Sequence, residues 1–325
     1  MPVSKARIQG LDTVRALAAL SVMFAHLAGP FMPGFSKYLF TGMPAVVAFF
    51  VVSGFCIHYP YRELPVPVRA FWIARAVRIL VPSVSAMALA AAAGVKEYDF
   101  VNGYILWSIV CELFYYACYP LLLVLARMLG WRALWAVSFV ISYVIVCSIK
   151  SDQFGNVHNY GWWLNWIVLL PTWLIGCLLA DEIRTDKALG GVWAWRAATG
   201  CTASFLYWST FNFIGFNFTM NAFALLVVFW VRSEISAAKE NPSLALEWVG
   251  RWSYSLYLVH VIVAAFLAIR LRIENPMIVI PAALACSYAF YVAVERPAHN
   301  NARRVFKYLS MSMPGRPATN AAANG

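Results

Sequence analysis

GLDTVRALAALSVMFAHLAGPFMP (10–33) is an apolar run of membrane-spanning length that nevertheless contains Asp12, Arg15 and His26. A helix needs about 20 residues to cross about 30 Å of hydrocarbon, so this segment reads as a transmembrane helix. Arg15 and His26 are eleven residues apart. On an α-helix that is about 16 Å of rise and about 1100° of rotation, within about 20° of a whole number of turns. Both side chains therefore leave the helix on one face, one above the other. An ionisable residue at membrane depth costs about 2.5–3.5 kcal/mol on insertion scales, so two on one face suggest a functional site. Against that stand snorkelling of Arg15 to the inner interface and a helix–helix hydrogen bond for His26. Asp12 precedes Arg15 by three residues, the spacing of an ion pair that lowers the cost of the arginine near the helix start. His26 has no charged neighbour in its segment.

The pattern extends along the chain. Of 325 residues, 62% are hydrophobic, 16% aromatic and 12% charged, with a mean hydropathy of +0.69. A soluble domain carries about 25% charged residues, so this composition excludes a soluble globular protein. Ten apolar segments of spanning length fall at 10–30, 42–60, 72–94, 104–129, 132–150, 160–181, 192–211, 213–231, 252–272 and 276–295. The expected fold is an all-α integral membrane protein, a bundle of about ten transmembrane helices. It forms one domain over 1–310, followed by a small polar, disordered tail over 311–325.

An even number of spans puts both termini on one side. With that side cytoplasmic, nineteen Lys and Arg residues lie at or near the cytoplasmic face and only Lys37, Lys96, Lys150, Arg270 and Arg272 fall on the opposite side, as the positive-inside rule requires. The expected location is the plasma (inner) membrane, multi-pass, with both termini cytoplasmic. A basic inner rim beside anionic lipid accounts for the net charge of +11 without a nucleic-acid partner. The first apolar run lacks a small-residue cleavage site and reads as a retained span. The seven cysteines all fall within spans and are expected as free, buried thiols; no CxxC pair or His/Cys cluster suggests a metal. RSEISAAKENPSLALEWVGR (232–251) reads as a polar cytoplasmic connection. The tryptophans Trp131, Trp135, Trp162, Trp163, Trp193 and Trp195 fit an interfacial belt.

Other polar residues interrupt the spans. Glu112, in WSIVCELFYYACYP (107–120), is expected near the depth of His26. A buried carboxylate needs a partner, and a histidine at matching depth supplies one. Such a carboxylate orients the imidazole and raises its basicity for proton abstraction. Arg75 and Arg78, in FWIARAVRILVP (71–82), share a helix face, and guanidinium forks at that spacing suit a phosphate or pyrophosphate. With Arg15 they place three arginines near one inner mouth, more than anchoring requires. Ser53, Tyr115, Tyr257 and His260 are candidate pore or acceptor contacts. Against that stands helix–helix hydrogen bonding for His260, Tyr254, Ser255 and Tyr257 in SYSLYLVH (253–260), and close packing for Ser53 and Gly54 in FFVVSGFCI (49–57). Glu295, Arg296 and Pro297 are expected to end the last span.

These segments resemble, in order, the motifs of the membrane-bound acyltransferase 3 family. Arg15 to His26 matches its arginine–ten residues–histidine pattern, and FFVVSGFCIHY (49–59) its second-span signature. RAVRILVP (75–82) carries its arginine pair, WSIVCELFYYACYP its tryptophan-to-glutamate segment, and SYSLYLVH with ERP (295–297) its closing segment. The resemblance implies a stand-alone O-acyltransferase, without a fused esterase-like domain, that acylates a cell-surface polysaccharide or its lipid-linked precursor. It further implies acyl-CoA, with acetyl as the default group, held by Arg75, Arg78 and Arg15. His26 would then be the general base oriented by Glu112, with Arg15 and Asp12 in the same catalytic group. The partners implied are acyl-CoA, a carbohydrate acceptor and the lipid bilayer, with no metal. Only 24 residues separate Pro82 from Trp107, so the connection VKEYDFVNGY (95–104) is shorter than the family pattern. The competing readings are a multispanning transporter or flippase of a polysaccharide precursor, and the same acyl transfer to a lipid or small-metabolite acceptor.

Overall fold

The computed structural model describes residues 8–95, 98, 106–149, 160–183 and 188–311. The expected tail from residue 312, most of the 95–104 connection, and the cations Lys5, Arg7, Lys96, Lys150, Arg184, Lys187 and Arg316 lie outside the described residues. Among the described residues there is no strand. The helices are α1 (Leu11–Leu27), α2 (Met43–His58), α3 (Val68–Ala93), α4 (Trp107–Leu129), α5 (Trp131–Ser148), α6 (Gly161–Glu182), α7 (Val192–Asn212), α8 (Phe216–Glu240), α9 (Leu244–Gly250), α10 (Ser253–Phe266), α11 (Pro276–Phe290) and α12 (Arg296–Met311). Wider π-type turns extend α10 through Leu271 and α11 through Glu295.

Each of the ten expected spans coincides with one long helix. Eight helices among the described residues are long and apolar enough to cross a membrane. The other two are α1, whose 17 residues include Asp12 and Arg15, and α7, which carries Arg196, Asn212 and several Ser and Thr residues. Two expectations need correction. The 232–251 connection is not a loop: α8 continues to Glu240 and α9 follows it. Nor does the last span stop at Glu295, because α12 continues directly from it. There the sequence RPAHNNARRVFKYLSM becomes amphipathic, and its apolar side packs along α3.

α2 is apolar on every side, and most of its residues are buried. Two glycines set its crossing with α6. A Cβ on Gly54 would overlap the Trp173 carbonyl oxygen, and one on Gly176 would overlap the Val51 carbonyl oxygen. The two backbones touch with no side chain between them, the small-residue packing that substitutes for hydrophobic drive inside a bilayer.

Carboxylates from distant sequence cap two helix starts. Glu247 of α9 accepts hydrogen bonds from the Gly10 amide (2.9 Å), the Thr13 amide (3.1 Å) and the Thr13 hydroxyl (2.8 Å). Glu295 accepts from the Ser255 amide (3.0 Å) and hydroxyl (2.5 Å) at the start of α10. Both satisfy first-turn donors that have no partner within their own helix, and both place negative charge at the positive end of a helix dipole.

Buried Glu234 of α8 is gripped by Arg196 of α7 through two bonds of 2.6 and 2.9 Å, and by the Trp230 indole at 2.8 Å. Arg196→Met would leave that carboxylate without its counter-ion. We expect a loss of about 3–5 kcal/mol, read as a lowered thermal midpoint in detergent.

All seven cysteines are unpaired. Cys111 and Cys177 are buried as expected, whereas Cys147, Cys201 and Cys286 lie on the outside of the bundle. The thiol is apolar enough to face acyl chains, so location within a span does not imply burial in the protein.

Candidate active site

Most of the candidate residues fall into two polar clusters within the apolar bundle. The first lies towards the end where α1 begins. Arg15 pairs with Asp12 at 3.2 Å, as the i, i+3 spacing implies, and its other amino group reaches the Cys56 sulfur of α2 at 3.4 Å. From α3, the Arg75 guanidinium lies 5.6 Å from the ring centres of both Phe71 and Tyr116. The Tyr116 hydroxyl donates to Glu112 one turn earlier on α4. Glu112 also accepts from Ser53 at 2.6 Å, and Ser53 in turn accepts from the Trp173 indole at 3.3 Å. Arg78 lies within electrostatic reach of Arg15, Arg75 and Glu295. α12 adds His299 and Arg303 to this neighbourhood.

Arg75 and Arg78 make no hydrogen bond or ion pair to a carboxylate among the described residues. Two guanidinium groups inside a protein without a direct counter-ion form a site ready for an anion. The phosphate-sized fork expected from their spacing is thus accompanied by open hydrogen-bonding capacity.

The second cluster joins α1 to α10. His26 Nδ1 lies 2.9 Å from His260 Nε2, and the rings are nearly parallel, 6° apart with centroids separated by 5.2 Å. His260 Nδ1 lies 2.7 Å from the Leu256 carbonyl oxygen. His260 is fully buried, while His26 is exposed. The far nitrogen of His26, Nε2, lies 3.9 Å from where a Cβ on Gly42 would stand.

The expected pairing of His26 with Glu112 is not formed. His26 bonds to His260, whereas Glu112 bonds to Ser53 and Tyr116. The reason lies in the packing: α1 rests on α2, α9 and α10, and α4 rests on α3, α5 and α6. α2 therefore meets Glu112 with Ser53, and the carboxylate joins the arginine cluster instead of the histidine.

The other candidate contacts divide similarly. Tyr115 is buried and donates to the Trp166 carbonyl at 2.9 Å. The Tyr257 hydroxyl lies 2.9 Å from that of Ser108, with its ring near His260. The Tyr254 hydroxyl lies 2.7 Å from Ser83 on α3. These are the helix–helix bonds the segment was expected to make.

Some polar partners were not singled out from sequence. Tyr116 could have been, because it stands one helical turn from Glu112. Fully buried His58 lies 3.0 Å from the Tyr119 hydroxyl and 3.4 Å from Asp181, a grouping assembled across three helices that no local spacing announces. No group of three His, Cys, Asp or Glu placed to hold a metal occurs among the described residues.

The sequence pattern of the acyltransferase 3 family, described as an acyltransferase domain, matches residues 8–296. Acyltransferase MdmB of Streptomyces mycarofaciens is 25% identical over 322 residues, covering 82% of this chain and 81% of its own length. No solved structure matches the chain.

Proposed function

This chain belongs to the acyltransferase 3 family of membrane acyltransferases, and from that membership we propose that it transfers an acyl group, acetyl by default, from acyl-CoA to a hydroxyl of a cell-surface polysaccharide or its lipid-linked precursor. The observation that carries the donor half of this reading is the pair of arginines, Arg75 and Arg78, beside Arg15, neither of the pair bonded directly to a carboxylate among the described residues. In the proposed orientation the end where α1 begins faces the cytoplasm of the plasma membrane, where acyl-CoA is available. The cations at that end obey the positive-inside rule.

The arginines hold the nucleotide phosphates. Glu112, Ser53 and Tyr116 brace the wall behind them, and Asp12 keeps Arg15 extended. The pantetheine arm then carries the thioester along α1 from Arg15 towards His26, a rise of about 16 Å. His26 removes the acceptor hydroxyl proton, and the oxygen attacks the thioester carbonyl directly, without a covalent enzyme intermediate.

Purified protein in nanodiscs, given labelled acetyl-CoA and polysaccharide precursor, should yield labelled O-acyl ester. Transport of the precursor with no ester formed would defeat this reading in favour of a flippase. Arg75→Ala and Arg78→Ala should each weaken CoA binding about tenfold in a titration, the size of one lost charge-assisted contact. Unchanged affinity in both would remove the arginines from the donor site.

A further inference from the structure

The hydrogen bonds around His26 fix where its protons must be. The Leu256 carbonyl can only accept, so Nδ1 of His260 carries a hydrogen. A neutral His260 then has a bare Nε2, which can only accept. The hydrogen between the two rings therefore belongs to Nδ1 of His26. This leaves the lone pair of His26 on Nε2, the ring nitrogen not engaged by His260 and the one nearest Gly42.

We infer that His260 is the positioning residue that makes His26 a base: with Leu256 it forms a carbonyl–imidazole–imidazole chain that holds His26 in the Nδ1–H tautomer, its basic Nε2 turned to the acceptor hydroxyl. A third group that orients a catalytic histidine and supports the charge it gains is the general logic of triads. Here that group is a neutral ring, not a carboxylate. The inference rests on the proposed role of His26 and replaces Glu112 as the orienting group.

The chemistry balances. As the acceptor oxygen bonds to the thioester carbon, its proton passes to Nε2 of His26, making an imidazolium whose Nδ1–H still donates to His260. Collapse of the tetrahedral intermediate breaks the carbon–sulfur bond, and the departing thiolate of CoA takes that proton. His26 returns to its starting tautomer, and His260 gains and loses nothing.

The environment leaves this task to His260. The α-helical segments Met43–His58, Ser253–Phe266 and Pro276–Phe290 carry no Asp, Glu, Lys or Arg. Glu295, past the end of α11, is bonded to the start of α10. The charges of α8 and α9 lie towards the opposite end, where Glu234 and Glu247 meet the start of α1. The charged residues described on the His26 side, Lys37, Arg270, Arg272 and Glu274, form no hydrogen bond or ion pair with His26. Tyr257 presents its ring to His260, with its hydroxyl near that of Ser108.

The test combines a spectroscopic and a kinetic readout on the full chain in nanodiscs. Solid-state ¹⁵N NMR of histidine-labelled protein, with His26 assigned by its loss in His26→Asn, should show the hydrogen on Nδ1 and a bare Nε2. A resting His26 with its hydrogen on Nε2 overturns the inference whatever the reaction. His260→Leu should mix the tautomers and lower kcat about 100-fold, the lower range for general-base catalysis, while KM for acetyl-CoA stays within about twofold. His260→Gln, whose amide oxygen can accept from His26 Nδ1, should restore the tautomer and bring kcat back to within about tenfold of wild type. The His58 and His299 signals report whether each variant is folded. Wild-type kcat in His260→Leu, or a folded His260→Gln no better than His260→Leu, defeats the inference. An active His26→Ala defeats instead the assignment of His26 as base, so the two failures are distinguishable.

Discussion

His26→Ala will lose acyl transfer by a factor of about 10³, within the range that a positioned general base contributes, while the protein still inserts and folds. His26 is exposed and in the last turn of α1, so its truncation opens no cavity in the core. Its one bonded partner, His260, keeps the Leu256 carbonyl and stays in place. Size-exclusion chromatography and thermal midpoint should match wild type, and acetyl-CoA titration should return an unchanged affinity, because the arginine cluster lies elsewhere on the fold. Normal acylation by a well-expressed mutant would remove His26 from the chemistry.

Gly54→Val should be the opposite kind of variant, one that loses the fold. A side chain at this position enters the Trp173 carbonyl oxygen, a backbone atom that cannot rotate away. α2 and α6 must then separate, and with them the buried aromatic contacts of Trp173 with Tyr115 and Tyr119. Overpacking of this sort costs on the order of 3 kcal/mol or more. The displaced helix also takes Ser53 away from Glu112, so any folded remainder should be inactive. Gly54→Val protein that elutes as a monodisperse peak with a wild-type thermal midpoint would show that the crossing tolerates a wider separation.

What was legible in the sequence was whatever depends on one segment at a time. Asp12 and Arg15 pair because both are on α1 at i, i+3 spacing, and a helix enforces that contact. The ten spans could be read because hydrocarbon thickness sets their length. Ser53 and Gly54 announced a close approach, but not that Gly176 would answer from α6, since a small residue says how near a neighbour comes and not which one.

Partner choice across helices failed for the same reason. Glu112 is expected near the depth of His26 because its segment, read alone, starts at one surface of the membrane. α4 in fact begins at Trp107 with Ser108 against Tyr257, only one turn into α10, so counting from that start misplaced the carboxylate. His260 is 234 residues from His26, and the hydrogen bond between them is a property of topology, not of spacing. The polar 232–251 stretch looked like a loop because Glu234 and Glu247 are charged, yet each is buried on a partner contributed by another helix.

The capping carboxylates also set an order of assembly. A nascent chain makes α1 first, yet the group that satisfies its opening amides, Glu247, is synthesised more than two hundred residues later. α10, which carries His260, begins at a turn completed only by Glu295, close to the end of the family-matched region. Insertion can proceed span by span, but the two helices that bring the histidines together acquire their final ends only when the last span is in place. A polypeptide halted before Glu295 would hold both imidazoles and still lack a finished site. The ends of the two helices that carry the histidines are thus closed by carboxylates that follow them in the chain, one from α9 and one from the end of α11.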